Sequence, residues 1–146
     1  MTSSSPGASP LGLAQAQRRA AADAPLRITA HNGASIVGGA ERALIALLDG
    51  LQRRGHQVAL VCNHDIVADA AVQQLVPAIV LPLRGDLMLG DAFAFARFLR
   101  RDLPDALIVG TFKKVWLAGL AASRAGVPQT VARVGLASDT PRRIKY

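Results

Sequence analysis

Cysteine occurs once, at Cys62, so no disulfide can form within the chain, and a lone thiol suits a reducing compartment. Aromatic side chains make up only 4% of the residues, with a single Trp and a single Tyr, which argues against stacking of bases on aromatic platforms. No apolar run approaches the roughly 20 residues of a membrane-spanning helix. Acidic residues are also scarce. Asp+Glu number 10 against 17 Lys+Arg, a formal charge of +7 that invites an anionic partner without saying whether it is nucleic acid, phospholipid or phosphate. What is present is 146 residues, 51% hydrophobic and 18% charged, enough to bury the core of one domain and to exclude wholesale disorder.

Residues 1–25 read as a disordered leader of Ser, Pro, Gly and Ala. Arg18 and Arg19 follow the small-residue stretch instead of preceding it, and no apolar segment separates them from a cleavage site. That order excludes a secretory signal, and the Ser- and Ala-rich, acid-poor composition is shared with transit peptides. From Leu26 the pattern changes to short apolar, β-branched runs alternating with segments of helical period. Strands are expected over Leu26–His31, Gln57–Cys62, Ala78–Leu83, Asp105–Gly110 and Gln129–Val134. Helices are expected over Ala40–Arg54, Ile66–Leu75, Asp91–Asp102 and Lys113–Ala125. In the first helix Ala40, Leu44, Leu47, Leu48 and Leu51 form the expected inward stripe. In the third, Phe95, Phe98 and Leu99 do.

Apolar strands separated by amphipathic helices specify an α/β fold, a doubly wound, Rossmann-like parallel sheet over residues 26–146. In such sheets ligands bind beyond the carboxyl ends of the strands. That rule points to the loops after strands one, two, four and five.

The loop after strand one contains Gly38 and Gly39 immediately before a helix. Adjacent glycines let backbone N–H groups approach an oxygen-rich anion, which the helix dipole favours. They also simply make a tight strand-to-helix turn, and the glycines alone do not decide between the two. A P-loop is excluded, because Gly39 and Ala40 stand where Lys and Ser/Thr would be required after Gly33–Gly38. A dinucleotide fingerprint is excluded by the absence of G-x-G-x-x-G. Glu41 falls in the first helical turn, where the dipole alone accounts for a carboxylate.

Gly38-Gly39-Ala40-Glu41-Arg42, a leucine-rich helix, and Arg54-Gly55-His56-Gln57-Val58 together resemble the N-terminal, acceptor-side domain of GT-B glycosyltransferases of the family-4-like group. Pro104–Val109, Gly126-Val127-Pro128 and Val131–Gly135 fit the same domain further on, so the resemblance covers about residues 26–146. It implies one half of a two-domain enzyme, of the retaining kind in family terms, with the donor-binding domain absent from these residues. The acceptor would be a sugar or lipid-linked cell-envelope or exopolysaccharide molecule. The donor would be a nucleotide sugar, with no cofactor and no metal. The resemblance also implies a cytoplasmic enzyme, and no transfer by this part alone.

Several cations and donors are candidates for phosphate or substrate. Lys113 and Lys114 follow strand four, where lysines beside the positive end of a helix dipole are electrostatically disfavoured unless an anion compensates. Relatives carry a His in this loop; here Thr111 is the available hydrogen-bond donor. Arg133, at the end of strand five, needs a partner, either a ligand phosphate or a carboxylate. His31, His56 and His64 lack metal-site spacing; His31 and His56 read as structural, and His64-Asp65 fits either a turn or the orientation of an acceptor hydroxyl. The charge is uneven: residues 1–83 carry 6 Lys+Arg and 5 Asp+Glu, residues 84–146 carry 11 and 5. Arg97, Arg100 and Arg101 share one segment, so a solvated face and peripheral contact with an anionic membrane both fit. Nucleic acid is the weaker partner, because no recognition motif accompanies the charge. A non-catalytic binding subunit that works with a separate donor-binding chain is the second functional reading.

Overall fold

In the first strand Ile28, Thr29, Ala30, His31 and Asn32 are all buried, which a strand achieves only when both its faces are covered. That strand is the centre of the fold. The computed structural model describes residues 23–83, 89–110 and 115–133. Among them strands and helices alternate strictly: β1 (Arg27–Asn32), α1 (Gly39–Arg53), β2 (Gln57–Cys62), α2 (Asp65–Gln73), β3 (Ala78–Val80), α3 (Leu89–Asp102), β4 (Ala106–Val109), α4 (Val115–Ala125) and β5 (Gln129–Ala132). All pairings are parallel, in the order β3-β2-β1-β4-β5. This is the doubly wound, Rossmann-like sheet expected from the alternation. Of the leader, residues 1–22 lie outside the described residues.

Two apolar layers sandwich the sheet. Leu44, Ile45 and Leu48 of α1 and Val67, Ala68 and Ala71 of α2 pack on one face against Ile28, Ala30, Val58 and Leu60. Phe95 and Leu99 of α3 and Leu117, Ala118 and Ala121 of α4 pack on the other against Val61, Leu107 and Val109. Burying each large aliphatic side chain stabilises the fold by about 1.5–3 kcal/mol. The α1 stripe differs from the expected one. Ala40 and Leu47 are exposed, and Ile45 is buried in their place, so the helix is rotated toward its Ile45 side. Phe98 is half-buried, stacked near Phe95 instead of inserted beside it.

Strand order decides where a ligand can sit. The chain winds outward from β1 through β2 to β3, then crosses to β4 on the other side, so the reversal lies between β1 and β4. The loops after β1 and β4 therefore flank the crevice. The opposite edge is closed by polar ties: Asp105 Oδ2 accepts from Arg27 N at 2.8 Å, and Asp102 Oδ2 accepts from the Thr29 hydroxyl at 2.5 Å. The outer strands are shorter than expected and less covered. β3 stops at Val80, and all four residues of β5 are exposed. Among the described residues no helix is long and apolar enough to cross a membrane.

Candidate functional site

The site begins with polar residues that a central strand would normally exclude. His31 and Asn32 end β1 and are fully buried. Each is held by a partner from a neighbouring loop. Asn63 donates through Nδ2 to Leu83 O at 2.8 Å, which turns its Oδ1 toward His31 Nε2, 3.3 Å away. The imidazole also lies 5.2 Å, centroid to centroid, from the Phe95 ring. His31 thus joins the carboxyl ends of β1 and β2 to the α3 layer, a structural role. His56 is structural too, accepting from Leu26 N at Nδ1, 3.1 Å. His64 precedes α2 as its N-cap residue and is exposed with Asp65.

Asn32 organises the glycine loop. Its Oδ1 accepts from Ala34 N at 2.8 Å, a local turn, and its Nδ2 lies 3.4 Å from Glu41 Oε1. Glu41 Oε2 in turn accepts from Gly38 N at 2.9 Å. The carboxylate of the first helical turn therefore ties the end of β1 to the entrance of α1, which goes beyond the dipole interaction expected of it. Gly38 is the N-cap residue, with extended backbone, and α1 has no side-chain cap. The N–H groups of Gly39 and Ala40 are thus in the helical turn that has no intrahelical acceptor.

The two glycines differ. A Cβ on Gly38 would stand 3.2 Å from Glu41 Oε2, so this position is shaped by the carboxylate. A Cβ on Gly39 would meet nothing within 4 Å. The packing of the chain does not require glycine at 39.

Arg133 follows β5, and its backbone N donates to Val109 O at 2.9 Å. Its Nη1 donates to Ala40 O at 2.9 Å, across 93 residues of sequence. The partner is a backbone carbonyl of α1, neither of the two partners expected. That bond uses one of five guanidinium N–H donors and places the cation at the N-terminal turn of α1. Gly38, Gly39 and Arg133 are thereby brought together at the carboxyl edge of the sheet. Thr111, Lys113 and Lys114 lie outside the described residues.

Three residues complete the edge that sequence reasoning did not single out: Asn32, Asn63 and Gly110. Gly110 leaves β4 with its N–H donating to His31 O at 2.8 Å, and a Cβ there would stand 2.8 Å from Leu44 Cδ2 and 3.1 Å from His31 O. The signal available for Asn32 was a polar pair closing a central strand; for Gly110 it was a glycine at the end of a buried strand. Cys62, at the end of β2, is buried, and burial first, then the charges of Asp65 and Asp69, push its thiol up to about 11. It stays protonated near neutrality and is no nucleophile. Among the described residues no group of three or more His, Cys, Asp or Glu is placed to hold a metal ion.

Comparison with known proteins agrees with the fold. The family described as glycosyl transferase 4-like domain matches residues 38–145. No curated protein matches the sequence. Among solved structures, a glycosyltransferase from Rickettsia africae superimposes with a TM-score of 0.61 at 16% identity, covering 74% of this chain and 29% of that one. HepE of Anabaena, solved with UDP and glucose, gives 0.58 at 17% identity, covering 71% of this chain and 28% of that one. The chain thus spans under a third of the length of either protein.

Proposed function

The chain belongs to the glycosyl transferase 4-like domain family, and on that premise we propose that it is the acceptor-side half of a GT-B enzyme. The reaction moves a sugar from a nucleotide sugar to a cell-envelope or exopolysaccharide acceptor, with retention of configuration, on the cytoplasmic side of the membrane. The similarity in fold to HepE of Anabaena, which was solved with UDP-glucose, supports a nucleotide-sugar donor.

The observation that carries the reading is the open turn at Gly39. A sugar departs from its diphosphate through a state in which negative charge grows on the leaving phosphate. Donors already fixed in place stabilise that charge without reorganising during the reaction. At the entrance of α1, the N-cap residue carries no side chain, no packing fills the space beside Gly39, and the Arg133 guanidinium is anchored on Ala40 O. Glu41 occupies the Gly38 N–H, so the ligand-facing donors are those of Gly39 and Ala40. We assign Thr111, Lys113 and Lys114, which follow Gly110 in sequence, as further donors to the same phosphate or to the acceptor.

The donor-binding half supplies the other wall of the cleft. The expected outcome is that the purified 146-residue chain transfers no sugar from any nucleotide sugar, and that turnover requires a donor-binding domain, in the same polypeptide or as a second chain. Radiolabelled-sugar transfer to a lipid-linked acceptor reads this directly. Turnover by the pure chain would contradict the half-enzyme reading.

A further inference from the structure

The outward side of α3 and α4 carries two parallel stripes that no part of the site explains. On α3, Leu89, Phe93, Arg97 and Arg100 follow one another at spacings of four, four and three, so they share one face of the helix. On α4, Trp116, Leu120 and Arg124 are spaced by four. The helices pack side by side, and Arg124 joins the stripes: its Cζ lies 5.0 Å from the centroid of the Phe93 ring. Arg100 adds a second tie, donating through Nη2 to Arg124 O at 2.9 Å.

Three of the four apolar members stand in water, and Leu120 is half-buried. Leu89 is 62% exposed, Phe93 54% and Trp116 43%, whereas the inward residues Phe95, Leu99 and Leu117 are fully buried. Both stripes run from apolar at the helix start to cationic at the helix end. Arg97, Arg100 and Arg124 are all exposed. The two carboxylates of α3 are placed elsewhere. Asp102 is half-buried and accepts from the Thr29 hydroxyl, and Asp91 is half-buried two positions from Phe93, about 200° around the helix.

We propose that this face docks the domain on an anionic lipid bilayer. Charge complementarity selects the occupant: three guanidinium groups lie beside the apolar rings, with no carboxylate among the described residues of that face. A cavity lined by Leu89, Ala92, Phe93, Leu120 and Arg124 lies between the two helices on this face. An indole and a phenyl ring settle at headgroup depth while arginines meet lipid phosphate. A nucleic acid would satisfy the arginines but leave Leu89 and Phe93 in water. Both helices begin at the carboxyl edge of the sheet, on the face away from α1. This surface stands whether or not the acceptor is lipid-linked.

Trp116 is the only tryptophan in the chain, so its fluorescence reports this face alone. The test uses the 146-residue chain with phosphatidylcholine vesicles, with and without phosphatidylglycerol. A blue shift of Trp116 emission and co-sedimentation are expected only with phosphatidylglycerol, and both weaken as salt is added. Arg97→Gln and Arg124→Gln each reduce partitioning about fivefold, the equivalent of about 1 kcal/mol per cation near the surface. Phe93→Ala weakens binding as well. Arg53→Gln, on α1 across the sheet, leaves it unchanged. No shift and no sedimentation, equal binding to neutral vesicles, or an equal effect of Arg53→Gln would overturn the proposal. So would retention on duplex DNA without vesicle binding. The assay contains no nucleotide sugar, so its failure leaves the glycosyl-transfer reading intact, and failure of transfer leaves this surface intact.

Discussion

Cys62 shows how one side chain reports its surroundings. Its thiol faces Ile79 O, with Sγ 3.6 Å from the oxygen, inside the α1–α2 layer. Its pKa rises from 9.0 to about 11, mainly because burial disfavours the thiolate. A raised folded-state value means that stability is intact below about pH 9 and is lost as pH climbs from there to about 11, because the unfolded chain ionises first. Urea-unfolding midpoints measured through that window should fall more steeply for the wild type than for Cys62→Ala. Iodoacetamide at neutral pH should label the folded protein far more slowly than the unfolded one. Equal pH slopes would place the thiol in a solvated setting. That Cys62 takes part in no intrachain disulfide was legible in the sequence. The bond of Glu41 to Gly38 was not, because a carboxylate in a first helical turn has the same sequence signature whether it serves the dipole, a capping bond or a neighbouring strand.

Helices and strands were legible from period and composition, and their limits less so. The stop of α1 at Gly55 (φ +92°) and of α4 at Gly126 (φ +74°) is written in glycine. α2 and α3 instead turn through Leu75 and Leu103 in the left-handed region, where leucine gives no stop signal, so the expected α2 ran on to Leu75. Which leucines of α1 face the sheet was decided by a rotation that a 3.6-residue period does not settle, hence Ile45 in place of Leu47. The approach of β4 to α1 was equally invisible, since it is set by Gly110 against Leu44 and the His31 carbonyl. Gly110→Ala should destabilise the protein by about 1–3 kcal/mol, the usual cost of overpacking, in a urea titration. Gly39→Ala, with open space at its Cβ, should stay within about 0.5 kcal/mol of wild type. Equal effects at the two glycines would mean that the β4–α1 junction yields freely.

For the whole molecule, the alternation of elements determined the fold, and the strand order then located the crevice between β1 and β4. Of the six candidate binding residues, Gly38, Gly39 and Arg133 meet at that crevice, a convergence that depends on the 2.9 Å bond from Arg133 to Ala40 and that no local pattern encodes. Among the described residues, the cations after residue 83 include Arg133 beside the glycine turn and the arginines Arg97, Arg100 and Arg124 on one face of α3 and α4. The central claim is that the entrance of α1 binds substrate and is more than a turn. Gly39→Val in a polypeptide that also carries the donor-binding domain tests it most directly, with transfer rate and thermal unfolding measured on the same preparation. The account predicts stability within about 0.5 kcal/mol of wild type and transfer lowered about 100-fold, the scale of losing one fixed donor to developing negative charge. Unchanged transfer, or transfer and stability falling together, would contradict it.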